Sequence, residues 1–188
     1  MHRILFVIVL ILAAAAGCTQ ANRAADNNGL DLAAIDVGSV SGQLGTFSTK
    51  FDPGEEGRDT NIQLASDSIS QAVVQPGEEF SFNKTIGPTT EKNGYKLAMI
   101  YVNGKKDEGY GGGVCQVSST LYNAAVKAGM KITERHDHSL PVTYVEAGKE
   151  AATSYGVKDL KFINDLSTPI VIHSSVVNGE ITVSINNA

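Results

Sequence analysis

Apolar residues first appear as an unbroken block over residues 4–16 and afterwards only in periodic patterns. Residues 46–53, "TFSTKFDP", alternate polar and apolar side chains and stop at Pro53, which predicts a half-buried strand. Over residues 58–71, Ile62, Ala65 and Ile69 recur at spacings of three and four. That period predicts an amphipathic helix, with Asp59 or Thr60 as its expected cap. "VVQPGEEFSFN" (73–83) reads as strand, Pro-Gly turn, strand. Residues 97–102 are an apolar strand leading into Asn103-Gly104, a strong hairpin signal, with Lys105 and Lys106 at its tip. Val117, Leu121, Ala124, Ala125 and Ala128 form one helical stripe, and Gly129 stands where a C-terminal glycine is expected. "KITERHDHS" and "PVTYV" read as strands. "LKFIND", "TPIVIHSSVV" and "GEITVSI" read as closing strands, the last two joined through Asn178-Gly179. Together these predict one α+β domain over 45–188, with a mixed, mostly antiparallel sheet and two main helices.

The first apolar block is different in kind. His2 and Arg3 precede it, and Gly17 and Cys18 follow it. A short basic end, an apolar run and small residues at a cut are the plan of an export signal, here over 1–17. The run falls short of the roughly 20 residues a transmembrane helix needs. The junction "AAGC" resembles a bacterial lipobox, with Ala15 where leucine is more usual. The resemblance implies cleavage before Cys18 and lipid on its sulfur, which would fix the protein to the outer face of the cytoplasmic membrane. Plain secretion with a free Cys18 is the other reading. Residues 18–44 are rich in Ala, Asn, Asp, Gly and Ser without a sustained period and read as a flexible tether. Such a coil would reach about 25–30 Å.

The formal charge is −5 and no basic cluster stands out. Phosphate neutralisation therefore has nothing to drive it, and nucleic acid is excluded as a partner. The cysteine count is more informative. With Cys18 lipidated, Cys115 has no partner for a disulfide. A lone thiol outside the cell is exposed to oxidation. It is expected to be either buried and inert or kept for its chemistry.

Cys115 follows Gly111, Gly112 and Gly113 and opens the second helix. A helix N-terminus directs free amides and partial positive charge at its first residues, which favours a thiolate placed there. The glycines permit unusual backbone angles and let a substrate approach the main chain. Amides between Gly113 and Gln116 are then candidate oxyanion donors. A nucleophilic thiol also needs a base. "ERHDHS" places His136 and His138 two apart, on one face of the predicted strand, with Asp137 opposite. Plainer readings stand beside these. Cys115 can be a packed core residue. With His136 and His138 it can be a zinc site, although the spacing matches no usual close pair. "GGG" can be a mere loop, and His173, in "IVIHSS", reads as a strand residue.

"GYGGGVCQVSSTLYNAAVKAG" followed by "ERHDHSLPVTYV" closely resembles the VanW family, named from vancomycin-resistance gene clusters. "RDTNIQLASDSIS", "VVQPGEEFSFNKTIGPTTEKNGYKLAMI" and "YGVKDLKFINDLSTPIVI" resemble family segments in family order. Some members are described as peptidoglycan L,D-transpeptidases whose nucleophile is the cysteine of GGGxCQ. The resemblance puts that role on Cys115, and the paired family histidines on His136 and His138. Gly112, Gly113 and Gln116 fall in the motif as backbone donors. Arg58, Asn61, Ser118, Arg135 and Tyr155 match family positions as orienting or substrate-binding candidates, Thr120 matches one without an assigned role, and Ser139, Glu150 and Asp159 are further orienting candidates. Where the family has GxDA, this chain has Gly148-Lys149-Glu150-Ala151, which keeps the charge on a longer arm.

The resemblance thus implies an envelope enzyme acting on peptidoglycan stem peptides as a monomer, without metal or organic cofactor. Cys115 would attack the carbonyl before the terminal D-alanine, and a second stem's amine would resolve the thioester into a 3→3 cross-link. A hydrolase or carboxypeptidase using the same residues, and a stem-peptide-binding lipoprotein without chemistry, are the alternatives.

Overall fold

The computed structural model describes residues 42–188 except Asn103. The export signal, Cys18 and the tether as far as residue 41 lie outside the described residues.

The two ends of this region meet in one sheet. β1 (Gln43–Lys50) pairs antiparallel with β9 (Glu180–Asn187), with Thr46 opposite Ser184. β8 (Ile170–Val177) lies on the other side of β9, and β2 (Val73–Val74) completes the order β1-β9-β8-β2. Asn178 and Gly179, at φ +49° and +77°, close the β8–β9 hairpin, as the Asn-Gly pair predicts. Ile170, Ile172, Ile181, Val183 and Ile185 alternate along β8 and β9 and are fully buried. Their cover is α1 (Glu56–Ile69), which packs on β8, and α3 (Val114–Lys127), which packs on β1 and β9. Ile62, Ala65 and Ile69 of α1 and Val117, Leu121, Ala124 and Ala125 of α3 are buried, so both apolar stripes face the core. Gly45 permits the close seating of α3: a Cβ there would lie 2.5 Å from the Ala128 amide.

Two smaller antiparallel sheets complete the domain. β3 (Glu79–Ser81), β7 (Lys161–Ile163) and β6 (Lys131–Glu134) form one, in the order β3-β7-β6. β4 (Leu97–Val102) and β5 (Lys105–Tyr110) form the other, the hairpin expected at Asn103-Gly104. The α+β class with antiparallel sheets and two main helices is as expected. Among the described residues no helix is long and apolar enough to cross a membrane.

Four local expectations are corrected. The residue capping α1 is Glu55, without a side-chain bond, while Asp59 inside the helix accepts the Gly54 amide at 2.7 Å. The strand, turn and strand of 73–83 form as read, although β2 pairs with β8 and β3 with β7, but the second strand ends at Ser81. The "FSFN" run turns instead into a short helix, α2 (Phe82–Ile86), capped by the Ser81 hydroxyl, which accepts the Lys84 amide at 3.1 Å. The strand expected over 131–139 stops at Glu134, opposite Lys161, the first residue of the three-residue β7. Beyond it there is no partner strand, and Pro141 has no amide to offer one. "PVTYV" is accordingly irregular.

Candidate active site

The glycine run is fixed by what surrounds it. Gly111 and Gly113 have φ of +88° and +102°. A Cβ on Gly112 would meet the Met99 carbonyl at 2.5 Å, and one on Gly113 would meet Ile62 Cγ1 at 2.9 Å. The missing side chains therefore make room for β4 and α1, not for an incoming substrate. Asn61, fully buried on α1, ties the arrangement together. Its Nδ2 donates to the carbonyls of Gly112 and Lys96, both at 3.0 Å, and its Oδ1 accepts the Lys96 amide at 2.7 Å.

Gly113 is the N-cap of α3 and Cys115 its second residue, partly buried. The amides of Val114 and Gln116 donate to Gly111 and Gly113 carbonyls. The Gln116 amide is thus engaged, whereas those of Gly113 and Cys115 have no acceptor among the described residues. Cys115 Sγ lies 3.5 Å from both the amide and the carbonyl oxygen of Thr153. Thr153 is brought there by the polar side of α3. Ser118 Oγ donates to the Ala151 carbonyl at 2.6 Å, Ser119 Oγ accepts the Ala151 amide at 2.9 Å, and Asn123 Nδ2 donates to the Lys149 carbonyl at 2.7 Å. Ser118 therefore acts as a clamp on this segment.

Cys115 and His138 line one cavity of about 240 Å³, together with Arg58, the glycines, Tyr144, Thr153 and Tyr155. His138 Nε2 is 3.5 Å from the Tyr144 hydroxyl, and the two rings meet edge to face. Burial lowers the His138 pKa from its ordinary value, and the nearby Glu150 carboxylate partly opposes that shift. Its Nδ1 is buried without a hydrogen-bond partner among the described residues, and so is Glu150 Oε2. Both residues line a second cavity, of about 220 Å³, with Ser139. His138 and Glu150 thus share one small cavity, and Glu150 Oε2 is already ion-paired there with Arg135 at 3.7 Å.

His136 is placed elsewhere. Its Nε2 lies 2.9 Å from Glu134 Oε1, and it borders none of these cavities. The shared strand face expected for the two histidines does not form, because the chain has left the sheet before His136. Cys115, His136 and His138 consequently do not converge as a metal site. Glu134 also takes Lys161 Nζ at 2.8 Å and the Asp159 amide at 2.9 Å. Its hydrogen bonds to Lys161 and His136 hold its carboxyl down to about 2. Asp159 orients no histidine. It accepts Ser81 Oγ at 2.6 Å and the Asn83 amide at 2.9 Å, bracing α2. Arg135 donates to the Glu150 carbonyl at 2.6 Å, pairs with Asp137, and lies over the Tyr122 ring. Tyr155 is half exposed at the rim.

Arg58 has a built support. Its guanidinium donates to Gln116 Oε1, and Gln116 Nε2 in turn donates to Thr49 Oγ1 at 3.1 Å and the Lys50 carbonyl at 3.0 Å. Arg58, Gln116, Tyr144, Met99 and Tyr101 also border a larger cavity of about 440 Å³. Tyr144 and Thr153 are the site residues that sequence reasoning missed. Tyr144 sat in a presumed strand, and nothing local marks Thr153. Burial raises the Tyr144 pKa, so its hydroxyl stays protonated at neutral pH.

Residues 57–186 match the family model described as "VanW like protein". The chain is 42% identical over 143 residues to the uncharacterized protein YoaR of Bacillus subtilis, covering 76% of this chain and 47% of that one. It is 30% identical over 116 residues to the vancomycin B-type resistance protein VanW of Enterococcus faecalis, covering 59% of this chain and 42% of that one. The chain spans less than half the length of these curated relatives. No solved structure matches it.

Proposed function

The chain belongs to the VanW family, and from that premise we propose that it is a cell-envelope, cysteine-dependent acyltransferase, an L,D-transpeptidase of peptidoglycan. The observation that carries this reading is the shared cavity of Cys115 and His138 at the head of α3. A relative named for vancomycin resistance supports a substrate in the cell envelope.

His138, neutral because burial disfavours its charged form, takes the thiol proton. Cys115 Sγ attacks the carbonyl that precedes the terminal D-alanine of a stem peptide. The amides of Gly113 and Cys115, without an acceptor among the described residues, receive the oxyanion. The C–N bond breaks, the proton on His138 passes to the departing amine, and a thioester remains on Cys115. An amine of a second stem, entering through the larger cavity, loses its proton to His138 and attacks the thioester. The thiol is restored and a cross-link is left. The nearby Glu150 carboxylate, itself paired with Arg135, favours the imidazolium electrostatically. The lipid anchor on Cys18 would keep the domain within reach of the wall.

The test is incubation of the full chain with a disaccharide-tetrapeptide, followed by mass spectrometry, with Cys115→Ala as control. A dimer lighter than two substrates by one D-alanine, absent with the variant, is the expected product. Monomer lacking D-alanine would mean a hydrolase, and unchanged substrate a binding role.

A further inference from the structure

Arg58 is a charge without a counter-charge. It lies in the first turns of α1 and borders both the Cys115 cavity and the larger one beside it. No carboxylate among the described residues comes within ion-pair distance of it. Asp52 and Glu55 border the larger cavity and still do not reach it. What holds the guanidinium is neutral. One N–H is fixed on Gln116 Oε1, and Gln116 is fully engaged with β1. Gln116 is 1% exposed, so the support is rigid and dry. The remaining donors have no partner among the described residues. A half-buried guanidinium held by neutral groups is ready to take an anion, and its planar fork suits a carboxylate.

We propose that Arg58 binds the free carboxylate of the substrate's leaving group, so that the site selects acyl substrates whose departing amine carries a carboxylate on the adjacent carbon. This rests on the acyl-transfer reading above and sharpens it. A terminal amino acid with a free carboxyl is accepted, and a chain that continues past that residue, or ends in an amide, is rejected. Arg58 thereby makes the site an exo-acting one. It is a specificity residue that touches substrate and takes no proton. Its position in the larger cavity puts the charge on the side where the leaving amine departs and the second amine enters.

The experiment needs no turnover. The full chain is alkylated with iodoacetate or with its neutral analogue iodoacetamide, and modification is read on the Cys115 peptide by mass spectrometry. For wild type, the iodoacetate-to-iodoacetamide rate ratio should exceed that of free cysteine by about tenfold, and should fall as salt is added. Arg58→Gln should bring the ratio to that of free cysteine, Arg58→Lys should keep most of it, and Lys131→Gln, at an exposed lysine bordering neither cavity, should leave it unchanged. Circular dichroism of each variant checks folding, and the lysine variant keeps the test valid if glutamine disturbs Gln116. A wild-type ratio equal to that of free cysteine overturns the proposal, as does an unchanged ratio in Arg58→Gln. If the ratio behaves as stated while no stem peptide is turned over, the carboxylate site stands and the transpeptidase reading falls.

Discussion

His138 stands between the thiol cavity and the carboxylate of Glu150, and its neighbours decide when it is charged. Burial lowers its pKa from 6.5, so the acid limb of kcat/KM should lie below that value. Glu150 favours the imidazolium. Glu150→Gln should therefore shift the limb to still lower pH and reduce kcat, as a pH–rate profile would show. His138→Gln should cost on the order of 10²-fold or more in kcat/KM. His136→Gln should cost less than about threefold, since His136 borders neither the thiol cavity nor those beside it. Glu134 has a different pH signature. Its carboxyl is held at about 2, against an ordinary 4.5. Its stabilising contribution is fully present above the unfolded value and is lost as pH falls from there toward the folded one. The side chain is 29% exposed, so solvent screens the contribution to about 1 kcal/mol. Thermal melts at pH 7 and pH 2.5 should show that gap shrink in Glu134→Gln.

The elements explain which expectations survived. The long helices and the two Asn-Gly hairpins were legible because a period or a turn pair marks them locally. The head of α3 was legible for the same reason: glycines, then a thiol, then an apolar stripe. The histidine pair misled because a strand continues only while a partner is present, and β7 is three residues long. No pattern within "ERHDHS" reports the length of a strand about 25 residues later. α2 escaped notice because five residues carry no helical period. The clamp on 149–151 was invisible too: Ser118 was a candidate for orienting or substrate binding, and nothing local shows that it, Ser119 and Asn123 grip the backbone of a distant segment. Gly112→Ala tests the packing at this element. Its Cβ would strike backbone at 2.5 Å, so a loss of a few kcal/mol is expected in urea unfolding. Gly129→Ala, at φ +77° with nothing nearby, should lose only about 1 kcal/mol.

Across the whole domain, the site depends on β1, the first strand of the described region, being joined to β9, the last. β1 pairs with β9 and also supplies Thr49 and Lys50, on which Gln116 and then Arg58 rest. Thr49 is further bonded to Thr120 at 2.8 Å. The strand that closes the main sheet thus also supports Arg58. Thr49→Val keeps the strand but leaves Gln116 Nε2 one acceptor fewer. The expected result is a KM raised several-fold with kcat nearly unchanged, and stability lowered by about 1 kcal/mol. Leu121→Ala, in the core between α3 and the main sheet, should instead lower stability by about 2–5 kcal/mol and leave KM alone.

The most direct measurement is intact-protein mass spectrometry of the full chain, mixed with disaccharide-tetrapeptide and quenched in acid within the first turnovers. A covalent adduct of the donor stem less D-alanine should form on Cys115, slowly in His138→Gln, at the normal rate in His136→Gln, and not at all in Cys115→Ala. Product formed by Cys115→Ala, or an adduct whose rate follows His136 and ignores His138, would contradict the assignment of Cys115 as nucleophile with His138 as its base.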